Sequence, residues 1–87
     1  MFLHLGNDVS VLIRDVVAVL DMETATTMKD SRDFLKMCDE EEFIVTVADG
    51  EMPKSVVVTE KKGRSAVYLS PIAASTIKKR FIQIKEF

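Results

Sequence analysis

The sequence predicts a small α+β domain built on a mostly antiparallel sheet with one central and one C-terminal helix. Two observations carry this. Short β-branched and alternating runs fill residues 2–20 and 43–69, and turn signals separate them. Apolar residues at helical spacing occur only in two windows, near 28–38 and 73–84. All 87 residues are read as one domain, 1–87.

Phe2-Leu3-His4-Leu5 is an apolar strand closed by Gly6-Asn7-Asp8. In the next run Val9, Val11 and Ile13 share one face. Arg14-Asp15 follows as a hydrophilic turn, and Val16–Leu20 reads as a strand buried on both faces, or buried on one and covered by a partner on the other. Asp21 to Thr27 reads as a polar connection, with Thr26 or Thr27 available to cap a helix. Met28, Ser31, Phe34, Leu35 and Cys38 then form a helical stripe. Asp39-Glu40-Glu41-Glu42 sits badly at the negative end of a helix dipole, so the helix is expected to stop near Cys38 or Asp39.

Phe43 to Ala48 alternates as a strand, Asp49-Gly50 is a hairpin signal, and Lys54 to Glu60 answers it. A basic turn, Lys61-Lys62-Gly63-Arg64, leads to Ser65–Leu69. Residues 43–69 therefore read as a three-stranded antiparallel meander. Ser70-Pro71 predicts a helix start, with serine as cap and proline at the first helical position. Ala73, Ile77, Phe81 and Ile84 supply its apolar stripe, with Lys78, Lys79 and Lys85 projecting away.

Charge is sorted along the chain. Residues 1–60 carry five Lys/Arg against thirteen Asp/Glu, whereas residues 61–87 carry seven against one. The net charge of −2 conceals a basic end that can meet a polyanion, or the acidic part of a second copy. Apolar content of 47% is high for so small a domain, and self-association is the natural outlet. One His and one Cys exclude a disulfide and the usual soft-ligand metal site, and no cofactor or small-molecule substrate is evident. No apolar run approaches 18 residues, and the start lacks a basic signal-peptide region, so no membrane partner and a cytoplasmic location are expected.

No catalytic constellation emerges, so no enzymatic role is expected. His4 lies in an apolar strand with no nucleophile context. Cys38 reads as a small buried hydrophobe. Asp39 to Glu42 point in different directions and lack calcium-loop spacing.

Several blocks resemble the RemA/RemB family of bacterial extracellular-matrix regulatory proteins. They are Phe2–Gly6, Arg14–Asp21, Pro53–Thr59, Tyr68–Ile72 and Ser75–Arg80, and the resemblance spans residues 1 to about 81. It implies a cytoplasmic, non-enzymatic regulator of biofilm-matrix genes with a compact α+β fold. In the RemA branch it also implies rings that bind double-stranded DNA through outward arginines. The arginine before the second apolar strand falls on Arg14. The family's double arginine falls on Glu51-Met52, which is neither, and a basic position two residues on falls on Lys54.

Candidate DNA contacts are therefore Arg14, Lys54, the turn Lys61, Lys62 and Arg64, and the helix run Lys78, Lys79 and Arg80. Arginine in particular suits phosphate, being planar and always charged. Against this, basic residues near a helix C-terminus are favoured by the dipole alone, and basic hairpin tips also serve solubility. The expectations are DNA binding by a homo-oligomer, or an oligomeric assembly component without DNA.

Overall fold

A computed structural model describes residues 1–85. The Lys85 side chain and residues 86–87 lie outside the described part, so the outward placement expected of Lys85 does too. Three layers stack. The middle layer is a four-stranded sheet, with β3 (Val16–Asp21), β5 (Ser55–Lys61), β6 (Arg64–Ser70) and β4 (Ile44–Thr46) in that order across it. One face carries the hairpin of β1 (Phe2–Gly6) and β2 (Val9–Leu12) together with the C-terminal helix α3 (Ala74–Lys85). The other face carries α1 (Met22–Thr27) and α2 (Lys29–Glu40).

Strand alternation divides the core between these layers. Val57 and Tyr68 face the hairpin side and pack with Leu3, Leu5, Val11, Val47 and Ile77. Val56 and Val67, one residue along each strand, face the other way and pack with Ala25 and Cys38. Such two-sided apolar filling is why β5 reads as an unbroken valine run. The hairpin is fastened by Ser70, whose hydroxyl donates to the Leu5 carbonyl at 2.5 Å and accepts from the Ile72 N–H at 3.1 Å. Gly6 has φ of 119°, and a Cβ there would meet Pro71 Cγ at 3.2 Å, so glycine is required where hairpin and sheet touch.

Several expectations are corrected. Residues 22–27 are helical rather than a connection, because Asp21 caps them: its carboxylate accepts from the Thr24 N–H at 2.6 Å and the Thr24 hydroxyl at 3.0 Å. Thr26 and Thr27 do not cap α2; their hydroxyls bond back to the carbonyls of Met22 and Glu23. α2 runs on to Glu40, and the acid run closes it. Glu42 takes a left-handed φ of 61°, so that its N–H reaches the Asp39 carbonyl and the Phe43 N–H reaches that of Cys38.

The meander is also corrected. β4 does not pair with β5 through an Asp49-Gly50 hairpin; it crosses over and pairs parallel with β6, Ile44 opposite Val67. Only β5–β6 forms the expected hairpin. Its turn residues Lys62 and Gly63 both have positive φ, 52° and 77°, which matches the right-handed strand twist. Residues 16–20 are not buried on both faces. β3 is an edge strand, and a bulge between Val16 and Ala18 leaves Val17 62% exposed. Finally, α3 begins at Ala74, four residues past Ser70, since Ser70 is still in β6 and its hydroxyl is occupied by the hairpin. Its inner stripe is Ala74, Ile77, Phe81 and Ile84, with Ala73 outside.

Candidate nucleic-acid interface

The antiparallel ladder decides which basic residues meet. β3 starts at Val16 opposite Thr59, near the end of β5. Arg14 lies two residues before that start, in a 3-10 turn (Ile13–Asp15), and this turn packs against β5. β5 itself runs on into the turn that carries Lys61, Lys62 and Arg64. Arg14 and the basic turn thus share one end of the sheet.

These charges are largely unspent. The Arg14 side chain is 77% exposed and, among the described residues, is paired only with Asp15, at 3.9 Å between Nε and the carboxylate. Lys61, Lys62 and Arg64 have no side-chain hydrogen bond or ion pair among the described residues and are exposed. They border an open hollow of ≈ 660 Å³ also lined by Thr59, Ser65, Ala66 and Tyr68. Arg64, Ala66 and Tyr68 alternate onto one face of β6, with Thr59 and Lys61 beside them on β5. The sequence reading did not name Tyr68 as part of this site; the period-two spacing from Arg64 was the available signal. Long cations around an open concavity, with hydroxyls from Ser65 and Tyr68, match what phosphate oxygens require, whereas the buried Thr59 hydroxyl donates to the Ala66 carbonyl at 3.3 Å.

The other candidates stand apart. Lys54 precedes the opposite end of β5, about 20 Å along the strand from Lys61 at the usual rise per residue. Glu51 and Met52, at the position of the family's double arginine, are exposed in the loop leading to that same far end. On α3, Arg80 is tied down, donating to the His4 carbonyl at 3.3 Å. Lys78 sits close enough to Asp21 to help hold that carboxyl below its ordinary value, although the hydrogen bonds from Thr24 do more. Lys79 is exposed on the same helix. The structure gathers four of the eight candidates and separates the rest.

No group of three or more metal-binding side chains occurs among the described residues, and burial pushes the Cys38 thiol up, away from reactivity. Among those residues no helix is long and apolar enough to cross a membrane.

Residues 2–81 match the family model described as RemA-like, extracellular matrix regulatory protein A-like. The chain is 38% identical over 80 residues to extracellular matrix regulatory protein B of Bacillus subtilis (strain 168), covering 92% of this chain and 89% of that protein. With residues 2–81 of its 87 matched by the family model, the chain belongs to the RemA-like family of extracellular matrix regulatory proteins.

Proposed function

We propose that this protein is a non-enzymatic, cytoplasmic, DNA-binding regulator of matrix and biofilm genes, gripping the phosphate backbone with a basic patch repeated around a homo-oligomer. The observation that carries this reading is the shared position of Arg14, Lys61, Lys62 and Arg64 at one sheet end, exposed and nearly free of internal partners. Four cations on one subunit bind duplex weakly. Repetition at fixed spacing raises affinity by about 10²–10⁴ without new contacts. Little base reading is expected, since the patch offers Lys and Arg but neither Asn nor Gln.

The test is fluorescence anisotropy of a labelled promoter-length duplex across a salt series. Counterion release makes the log–log slope about −0.9 per phosphate contact, so a slope of several units and micromolar or tighter binding support the regulator. Absence of binding even at low salt overturns it.

A second reading is favoured by one observation. Glu51 and Met52 remove two cations and add an acid at the far end of the sheet, leaving Lys54 isolated there. On that reading the protein is an oligomeric assembly component that acts through other proteins. It gives an assembled species with no shift of DNA.

A further inference from the structure

The hollow at the basic end is larger than a phosphate group needs. Its volume of ≈ 660 Å³ is that of a small-molecule site. Burial sorts its lining into a rim and a floor. Lys61, Lys62 and Arg64 are exposed and make the rim. Ala66 and Tyr68 are half-buried, Thr59 is buried, and these make the floor. A duplex meets a protein surface with its outermost phosphates, which reach the rim. The floor beneath is left to something smaller.

Strand register gives the hollow its chemistry. Lys61 lies opposite Arg64 and Thr59 opposite Ala66, so these side chains share the face that carries Tyr68. Glu60 alternates to the opposite face, and no carboxylate lines the hollow. Three cations therefore stand together with no internal neutralisation, a setting that selects for an anion of several charges. The floor adds apolar surface from Ala66 and the Tyr68 ring. The Thr59 hydroxyl is spent on the Ala66 carbonyl, whereas the Tyr68 hydroxyl has no hydrogen bond among the described residues and can both donate and accept.

We infer that this hollow binds a nucleoside triphosphate, with its phosphates on Lys61, Lys62 and Arg64 and its base against Ala66 and the Tyr68 ring. Inorganic polyphosphate satisfies the rim alone, and a free nucleoside satisfies the floor alone; a nucleotide satisfies both. The rim is the one assigned above to the DNA backbone, so nucleotide and duplex compete for it, and bound nucleotide releases DNA. That regulatory consequence rests on the DNA-binding function proposed above, whereas the nucleotide site stands on its own lining.

The experiment is isothermal titration calorimetry of the full-length protein with ATP, tripolyphosphate and adenosine, free of divalent cations, followed by the same additions to its complex with labelled duplex. ATP is expected to bind about tenfold more tightly than tripolyphosphate, the usual worth of one base laid on an aromatic ring. Tyr68→Leu is expected to bring ATP down to the level of tripolyphosphate and to leave tripolyphosphate unchanged, whereas Arg64→Ala weakens both. Tripolyphosphate as tight as ATP, or a Tyr68→Leu variant that binds ATP like wild type, overturns the site, since the rim then takes phosphate alone. Tyr68 also packs against the core, so the variant is checked by circular dichroism. Should it unfold, amine acetylation of the wild type replaces it: ATP should shield Lys61 and Lys62 and adenosine should not, and equal labelling with and without ATP overturns the site. Saturating ATP should release the labelled duplex, and its retention overturns the competition. Protein that binds duplex but no ATP overturns the nucleotide site and leaves the DNA-binding function standing; protein that binds ATP but no duplex does the reverse.

Discussion

Val16 lies opposite Thr59 in the β3–β5 ladder, and this single register assignment brings Arg14 to the turn that carries Lys61, Lys62 and Arg64. Arg14→Ala should therefore weaken duplex binding uniformly across sequences, by roughly three- to tenfold, and lower the salt slope by about one unit. Arg64→Ala should do the same. Lys54→Ala, at the far end of β5, should change little. Affinity of Arg14→Ala within twofold of wild type in the anisotropy titration sinks the assigned role.

Ser70 is the clasp between hairpin and sheet. Ser70→Ala removes the donor to the Leu5 carbonyl in a fully buried setting and should destabilise the protein by about 1–3 kcal/mol. Urea unfolding measures it, with an unchanged m-value expected. A loss below about 0.5 kcal/mol means that the carbonyl finds another partner.

Glu42 closes α2 in a left-handed conformation that glycine adopts freely. Glu42→Gly should stabilise the protein by up to about 1 kcal/mol. Gly63→Ala should do the opposite, by about 1–2 kcal/mol, through backbone strain alone, since nothing lies within 4 Å of the added methyl. Gly6→Ala should cost more than Gly63→Ala, because Pro71 is also in the way. Thermal melts of the three variants give the order directly.

Asp21 titrates below its ordinary value, mainly because the Thr24 N–H and hydroxyl hydrogen-bond its charged form, with Lys78 adding to this. A carboxyl lowered on folding stabilises the protein above the unfolded value of 3.8 and ceases to do so as pH falls through the folded value. The acid limb of the stability curve should therefore be shallower in Asp21→Asn than in wild type. Identical acid limbs would remove the cap from the account of α1.

Cys38 is fully buried against the α1–α2 side of the sheet, and its thiol is pushed up by that burial. Native protein should react with a thiol reagent only through opening of that layer, so labelling should accelerate with urea well before global unfolding. Immediate stoichiometric labelling in buffer would contradict the packing.

Much of this molecule is legible in its residues. Alternation and β-branching give β1, β2, β3, β5 and β6, the Lys62-Gly63 pair gives the β5–β6 turn, and the Met28–Cys38 stripe gives α2. The α1 cap was legible too, as Asp21 three residues before Thr24, but a polar stretch with no apolar period hid it. The Asp49-Gly50 signal misled for a different reason. A dipeptide fixes a local bend, and it does not choose which strand receives the next one. β4 took the open edge of β6 because β3 already occupied the far side of β5.

The candidate site divides the same way. Composition alone shows which residues are basic and that they gather late in the chain. Long-range register decides which of them meet, and no local pattern encodes it, because Val16 and Thr59 are 43 positions apart and are brought together by burial of valine faces rather than by any preference of their own. Sequence by itself determined most of the strands, the helical stripes of α2 and α3 and the sorting of charge, since these follow from side-chain periodicity and solvation. Only the tertiary structure decided that Arg14 joins the basic turn, that Lys54 does not, and that the sheet has two unlike edges, because each of these depends on the order in which strands compete for backbone partners.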